Sequence, residues 1–257
     1  MKRMTNQMDA TKKFSGKAEG YEKYRPTYPK GLLDYLYQEK GFQKDSVIAD
    51  IGAGTGIFSR LLLERGSHVF CVEPNDDMRR VAWQKLQGYE TCTFVNATAE
   101  HTLLNDQSVD FVTAAQAFHW FDQPAFAAEC RRILRPEGKV VLLWNSREKN
   151  DEMVKETYQI CQMICPEFKG FSGGEETPQK YQSFFREGRY EEKIFANDLH
   201  LNLEEFLGRY LSASYAPSKE DSRYFEFTKA LTGLFGSYQK GGIITLPNKT
   251  RCYIGEL

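Results

Sequence analysis

Two acids and three glycines stand at spacings that carry chemistry. The run Asp50-Ile51-Gly52-Ala53-Gly54-Thr55-Gly56 sets glycines at alternate positions after an acid, and Glu73 follows 21 residues beyond Gly52. Glycines let a backbone turn sharply and admit a ligand closer than any Cβ permits. An acid about 20 residues on, at the tip of a second strand, accepts hydrogen bonds from ribose hydroxyls. The chemistry is therefore recognition of a nucleoside. A dinucleotide turn wants Gly-x-Gly-x-x-Gly or Ala, and the position three after Gly54 is Ile57. That reading, an NAD(P)-dependent oxidoreductase, lacks its last small residue.

The elements around these residues read as a layered α/β unit. Val47-Ile48-Ala49 is a short apolar strand leading to Asp50. Ile57, Phe58 and Leu61–Leu63 then crowd one face of a helix that stops at Gly66. Val69–Val72 is the next buried strand, closed by Glu73 and Pro74, and such a unit belongs to a parallel sheet. Asp76-Asp77-Met78 opens another helix, with acids in the first turn as the helix dipole favours. Thr93–Val95 and Ser108–Ala115 read as further strands, followed by the loops Asn96–Glu100 and Gln116–Asp122. Ligands of open α/β sheets bind outside the carboxyl ends of the strands, so the aromatic loop at Gln116, His119 and Trp120 is expected to line the site. Of the four histidines, His68, His101 and His200 fall at turn or strand-edge positions, which leaves His119 as the candidate general base.

Further on, the pattern predicts a helix over 125–134, a strand over 140–144 and a helix over 151–165. A glycine-rich loop over 168–178, a short helix over 181–188 and a sixth strand over 194–201 follow. Helices over 203–215 and 224–238 precede two last strands, at 243–246 and 251–257. The expectation is one domain with a seven-stranded, Rossmann-like, mostly parallel sheet and helices on both faces. Residues 14–40 would be an aromatic N-terminal segment and first helix, 46–145 the cofactor-binding core, 146–240 a partial helical cover with the sixth strand, and 241–257 the C-terminal strand. Phe14, Tyr21, Tyr24, Arg25 and Tyr28 read either as a strap packed over the domain or as a lid on a bound cofactor, with Arg25 pairing a carboxylate. The cover offers Trp144, Arg209, Tyr210 and Tyr215 for choosing a substrate.

Asp50-x-Gly52-x-Gly54-x-Gly56 with its strands and second acid resembles the first motif of class I methyltransferases that use S-adenosylmethionine (SAM). Tyr24-Arg25-Pro26-Thr27-Tyr28-Pro29 and the His119-Trp120-Phe121 run resemble those of a group similar to trans-aconitate methyltransferase, as does Leu134-Arg135-Pro136-Glu137-Gly138 before an apolar strand. The resemblance covers roughly residues 14–145. It implies SAM as cofactor and an antiparallel last strand. It further implies cofactor contacts from Tyr21, Arg25, Asp50, Gly52, Ala53, Gly54, Glu73, Pro74, Met78, Thr98, Ala99, Glu100 and Gln116. Met78 would lie against the adenine, and Thr98 stands where the family commonly has an aspartate. Tyr28, Trp120, Trp144, Arg209 and Tyr215 would meet the substrate, and His119 would orient or deprotonate it.

Composition narrows the partners. Among 257 residues 41% are hydrophobic and 14% aromatic, enough for a sizeable core. A net charge of −1 offers no electrostatic capture of nucleic acid or of an anionic membrane. The longest apolar run is Val140–Trp144, and the basic N-terminus has no apolar signal region, so a cytoplasmic protein is expected. Six scattered cysteines complete no zinc set, and no metal is expected. The leading reading is methyl transfer to a small-molecule acceptor at oxygen. A SAM-binding module without catalysis is the remaining alternative.

Overall fold

The computed structural model describes residues 23–171 and 178–257. Nine strands are present among them: β1 (Val47–Ile51), β2 (His68–Val72), β3 (Cys92–Val95), β4 (Val109–Ala115), β5 (Leu134–Arg147), β6 (Glu191–Ala196), β7 (Leu199–Leu201), β8 (Ile244–Leu246) and β9 (Asn248–Gly255). Seven make one sheet in the order β3-β2-β1-β4-β5-β9-β6, while β7 and β8 form a separate ribbon. The pairings β1 with β2, β1 with β4, β2 with β3 and β4 with β5 are parallel. β9 runs antiparallel between β5 and β6. The strand order reverses beside β1, which is where such sheets open a crevice.

Helices flank both faces. α1 (Lys30–Glu39), α2 (Ile57–Glu64) and α3 (Asp76–Leu86) lie on one side, where Leu32, Leu36, Phe58, Leu62 and Leu86 pack on Ile48, Val141 and Leu143. α4 (Gln123–Ile133) and, beyond α5 (Glu152–Ile164), α6 (Pro178–Phe184) lie on the other, where Phe126, Cys130 and Tyr181 pack on Val112, Val140 and Leu142. Local sequence starts these helices. The Asn75 side chain caps α3 by accepting from Met78 N–H at 2.9 Å, and Asp122 caps α4 through Ala125 N–H at 3.3 Å. α5, α7 (Leu203–Leu211) and α8 (Tyr224–Tyr238) bury a third cluster around Phe206, Tyr210, Phe227 and Leu231. That cluster is the helical cover.

Three expectations change. The apolar stretch 194–201 is not one strand: it splits at Asn197-Asp198, so that β6 stays in the sheet and β7 leaves to pair with β8. The fifth strand is longer than 140–144 because Leu134 already pairs with Val109, with a register shift accommodated at Pro136-Glu137, where Glu137 adopts φ 67°. Trp144 is corrected from a substrate residue to a core one. Alternation along β5 turns Val140, Leu142 and Trp144 to one face, where Trp144 is 1% exposed among Phe118, Tyr181 and Tyr253 at ring distances of 5.7–6.0 Å.

Candidate functional site

The carboxyl ends of β1, β4 and β5 open on a cleft of two joined lobes. The first lies over the glycine turn and is lined by Gly52, Ala53, Gly54, Thr55, Phe58 and Tyr28. The second, of about 510 Å³, lies under the cover and is lined by His119, Trp120, Phe171, Ala213 and Tyr215. Arg25, Gln116, Arg147 and Arg209 belong to both.

The first lobe is shaped by backbone. Gly52 sits at φ 67° with its N–H on the Val72 carbonyl at 2.8 Å, and an added Cβ would meet Ala117 Cβ at 2.6 Å. Gly54 sits at φ 59°, but a Cβ there would meet nothing within 4 Å. Glu73, at the tip of β2, is 9% exposed and accepts Gly54 N–H through Oε2 and Asn75 N–H through Oε1, each at 2.9 Å. Burial pushes its pKa up, against the pull of those two donors. Each oxygen keeps a lone pair for a further donor.

Asp50 is corrected from a cofactor contact to an anchor of the turn. Its carboxylate is buried at 1% exposure and accepts from Ser59 Oγ at 2.6 Å and Thr113 Oγ1 at 2.7 Å, tying β1 to α2 and β4. It lines neither lobe. Burial pushes its pKa up to about 6, with the two hydroxyls pulling the other way. A carboxyl with a raised folded pKa keeps its proton longer in the folded state, so stability falls as pH rises from the unfolded value to the folded one. Here that window runs from 3.8 to about 6. Wild-type protein is expected to lose about 3 kcal/mol across it relative to Asp50→Asn. Urea unfolding on either side of the window measures the difference, and parallel pH profiles for the two proteins would refute it.

Of the other expected cofactor residues, Met78, Thr98, Ala99, Glu100 and Pro74 sit around this turn without lining the lobes, whereas Gln116 lines both. Met78 is 4% exposed, and is corrected from an adenine face to a core side chain of α3. Thr98 is exposed and bridges to His101, Ala99 is buried, and Glu100 accepts the Asp122 N–H at 2.9 Å, so these hold the loop together. Pro74 directly follows Glu73 and is partly buried. Tyr21 lies outside the described residues. Gln116 reaches both lobes from a left-handed backbone, φ 61°, fixed by its N–H on Leu143 O at 2.8 Å and its Nε2 on Asn145 O at 3.0 Å. Such strain in a non-glycine residue persists only where its surroundings enforce it.

The segment 24–28 crosses the site as a pinned strap. Asn145 Nδ2 reaches the Pro26 and Thr27 carbonyls at 3.4 and 3.3 Å, and Asn197 Nδ2 reaches Thr27 O at 3.0 Å. Tyr24 lies flat against Gly208 of α7, where a Cβ would come within 2.5 Å of its ring, and its hydroxyl donates to Glu204 at 3.1 Å. Tyr28 is 7% exposed and meets Phe58 edge-on at 5.0 Å. These contacts set Arg25 in the wall beside Arg209. Sequence reasoning missed Asn145, Arg147 and Asn197. The signal for the first two was their place at the carboxyl end of a central strand.

His119 joins the second lobe with Trp120, their ring centres 4.7 Å apart. Although the residue is exposed at the rim, desolvation and then Lys180 lower its pKa, to about 4. With that shift the imidazole is neutral at pH 7 and a weak base.

Residues 49–142 match the family described as a methyltransferase domain. An uncharacterized methyltransferase of Mycobacterium tuberculosis is 36% identical over 152 residues, 59% of this chain and 60% of that protein. An uncharacterized methyltransferase-like protein of Schizosaccharomyces pombe is 34% identical over 158 residues, covering 61% of this chain and 60% of the relative. The chain thus spans about 60% of the length of the curated relatives it matches. Among solved structures, a protein of Anaeromyxobacter dehalogenans assigned as a type II methyltransferase superposes with a TM-score of 0.67 at 23% identity, over 91% of this chain and 98% of that one. The whole sheet, including antiparallel β9, is therefore the Rossmann-like methyltransferase fold. The residues at the glycine turn are chemically compatible with SAM, the cofactor such domains use. Open space stands over Gly54, whose N–H is held by the buried Glu73 carboxylate. Among the described residues no helix is long and apolar enough to cross a membrane.

Proposed function

We propose that the protein transfers a methyl group from SAM to an oxygen of a small-molecule acceptor. The observation that carries this reading is the shared wall: one lobe built over the glycine turn joins, through Arg25, Gln116, Arg147 and Arg209, a second lobe of about 510 Å³. That volume suits a small molecule and not a macromolecular segment. When bound, the sulfonium supplies an electrophilic methyl group and leaves with its electron pair on sulfur. The chain's own work is to hold, align and dry. Glu73 accepts from the ribose hydroxyls, and the turn from Gly52 to Gly54 lets the nucleoside approach. Arg25 pairs with the cofactor's carboxylate, and the strap with Tyr28 keeps water off the junction. Trp120 and Tyr215 shape the acceptor side, with Arg209 at its inner wall. An acceptor oxygen held about 3 Å from the methyl carbon, in line with sulfur, then needs no more than alignment.

His119, neutral and weakly basic, serves to orient the acceptor by a hydrogen bond. The oxygen attacked is accordingly one that is already ionised or easily so, such as a carboxylate or a phenol. Calorimetric titration with SAM is expected to show binding where NAD(P) shows none, and a panel of small acids, phenols and amines is expected to release S-adenosylhomocysteine with oxygen acceptors. On the best of these acceptors, His119→Gln should lower kcat/KM about tenfold, and the wild-type profile should show no imidazole limb between pH 5.5 and 8. Absence of SAM binding at millimolar concentration would overturn the assignment. A rate that rises with pH through 6.5 and flattens in His119→Gln would restore the imidazole as base.

A further inference from the structure

We infer that the wall between the lobes is an oxyanion site, in which Arg147 and Arg209 bind a carboxylate or phosphate group carried by the acceptor. The inference deepens the methyl-transfer reading and rests on it for the identity of the occupant as an acceptor. Arg209 lies on α7 at 5% exposure, yet its Nε and Nη1 reach no hydrogen-bond partner. Arg147, the last residue of β5, likewise leaves Nε unsatisfied. Both side chains line both lobes, and each carries at least one buried donor without a partner.

Buried guanidinium groups are ordinarily satisfied by carbonyls or carboxylates, because an unpaired charge out of water is strongly unfavourable. Here the charges around Arg209 are of its own sign: burial first, then Arg147 and Arg25, hold its pKa well below the ordinary arginine value. Three cations converge on one cavity. The Arg147 guanidinium is propped on the Phe171 ring at 4.0 Å from its centre, with the Tyr210 ring at 5.2 Å, an arrangement that fixes the plane of its donor fork. The other charges in the outer lobe, exposed Glu167 and Lys169, are one of each sign and change the balance little.

The cofactor does not supply the missing charge. Its carboxylate, taken by Arg25 in the reading above, brings one negative charge, while its ammonium and sulfonium bring two positive ones. Loading the first lobe therefore makes the wall more cationic, and the anion must come from the second lobe. A planar fork beside a second guanidinium matches the oxygens of a carboxylate or phosphate.

The full chain is to be titrated with inorganic phosphate, succinate and citrate, with and without saturating S-adenosylhomocysteine, and followed by melting temperature and calorimetry. At least one anion should bind, and Arg147→Met and Arg209→Met should each weaken it about 10- to 100-fold while S-adenosylhomocysteine affinity stays within about threefold. Arg209→Met should melt no lower than wild type without ligand, since an unpaired buried charge is gone. Preference for phosphate or for the carboxylates identifies which oxyanion the acceptor carries. If no anion binds, or if both variants lose S-adenosylhomocysteine as strongly as the anion, the arginines do not read the acceptor and the inference falls. If the anion binds wild type but S-adenosylhomocysteine does not, the oxyanion site stands and methyl transfer is the reading that fails.

Discussion

Gly52→Ala is expected to cost about 2–5 kcal/mol of folding stability, the sum of a left-handed backbone penalty and overpacking. Both contributions trace to single observations. The φ of 67° is one that an L side chain adopts only with strain, and the new methyl would meet Ala117 Cβ at 2.6 Å and the Phe121 ring at 3.2 Å. Neither neighbour yields easily, because Ala117 opens the turn of 3₁₀ helix after β4 and Phe121 packs on Phe126 at 4.8 Å. A loss of this size is a large fraction of a domain's total stability. Gly54→Ala is the control: a comparable backbone φ, but open space where the methyl would stand. It should keep most of its stability and lose SAM affinity, because the methyl would occupy the open space in which the cofactor is proposed to lie. Equal urea midpoints for wild type and Gly52→Ala would refute the packing argument. Undiminished SAM affinity in Gly54→Ala would refute the place given to the cofactor.

Glu73→Ala should act on fold and ligand together. Its two oxygens accept Gly54 N–H and Asn75 N–H, so removal leaves two backbone donors without partners, at about 1–3 kcal/mol for each that stays dry. The same change removes the ribose contact proposed for Glu73, and is expected to weaken SAM about 10- to 100-fold. Glu73→Gln separates the effects. An amide accepts one of the two N–H groups and turns its own NH₂ toward the other, so the turn is disturbed at one end only. Calorimetry on the glutamine variant should still register a loss of about tenfold or more. Unchanged affinity in both variants would leave Glu73 as a brace of the glycine turn with no ligand to hold.

What could be read in the sequence divides along physical lines. The glycine turn, the short strands and the helix starts are written in contiguous residues, through backbone permissiveness, apolar runs and capping side chains such as Asn75 and Asp122. Trp144 was misplaced because β5 is covered on both faces, so an unbroken apolar run says nothing about which face a residue takes. Asp50 reads as a ligand contact in the sequence because its two partners, Ser59 and Thr113, lie 9 and 63 residues away, and no local pattern marks them. Arg147 went unseen because its meaning depends on Arg209, which arrives from α7 on the far side of the strap. The strap was recognised by composition, yet its fastening by Asn145 and Asn197 depends on tertiary placement alone. The expected core boundary near residue 145 follows the same logic: β5 runs to Arg147 and delivers the site's wall at its last position.

The interior place of β9 bears on how the chain is born. Emerging from the ribosome, β1 through β5 can assemble as soon as each is made, whereas β6 has no seat until residues 248–255 arrive to bridge it. The exposed flank of β5 must wait through more than a hundred residues of synthesis, a long-range pairing of the kind that closes slowly. A nascent chain stalled before β9 would carry an open apolar margin, and that stage is where chaperone dependence should concentrate.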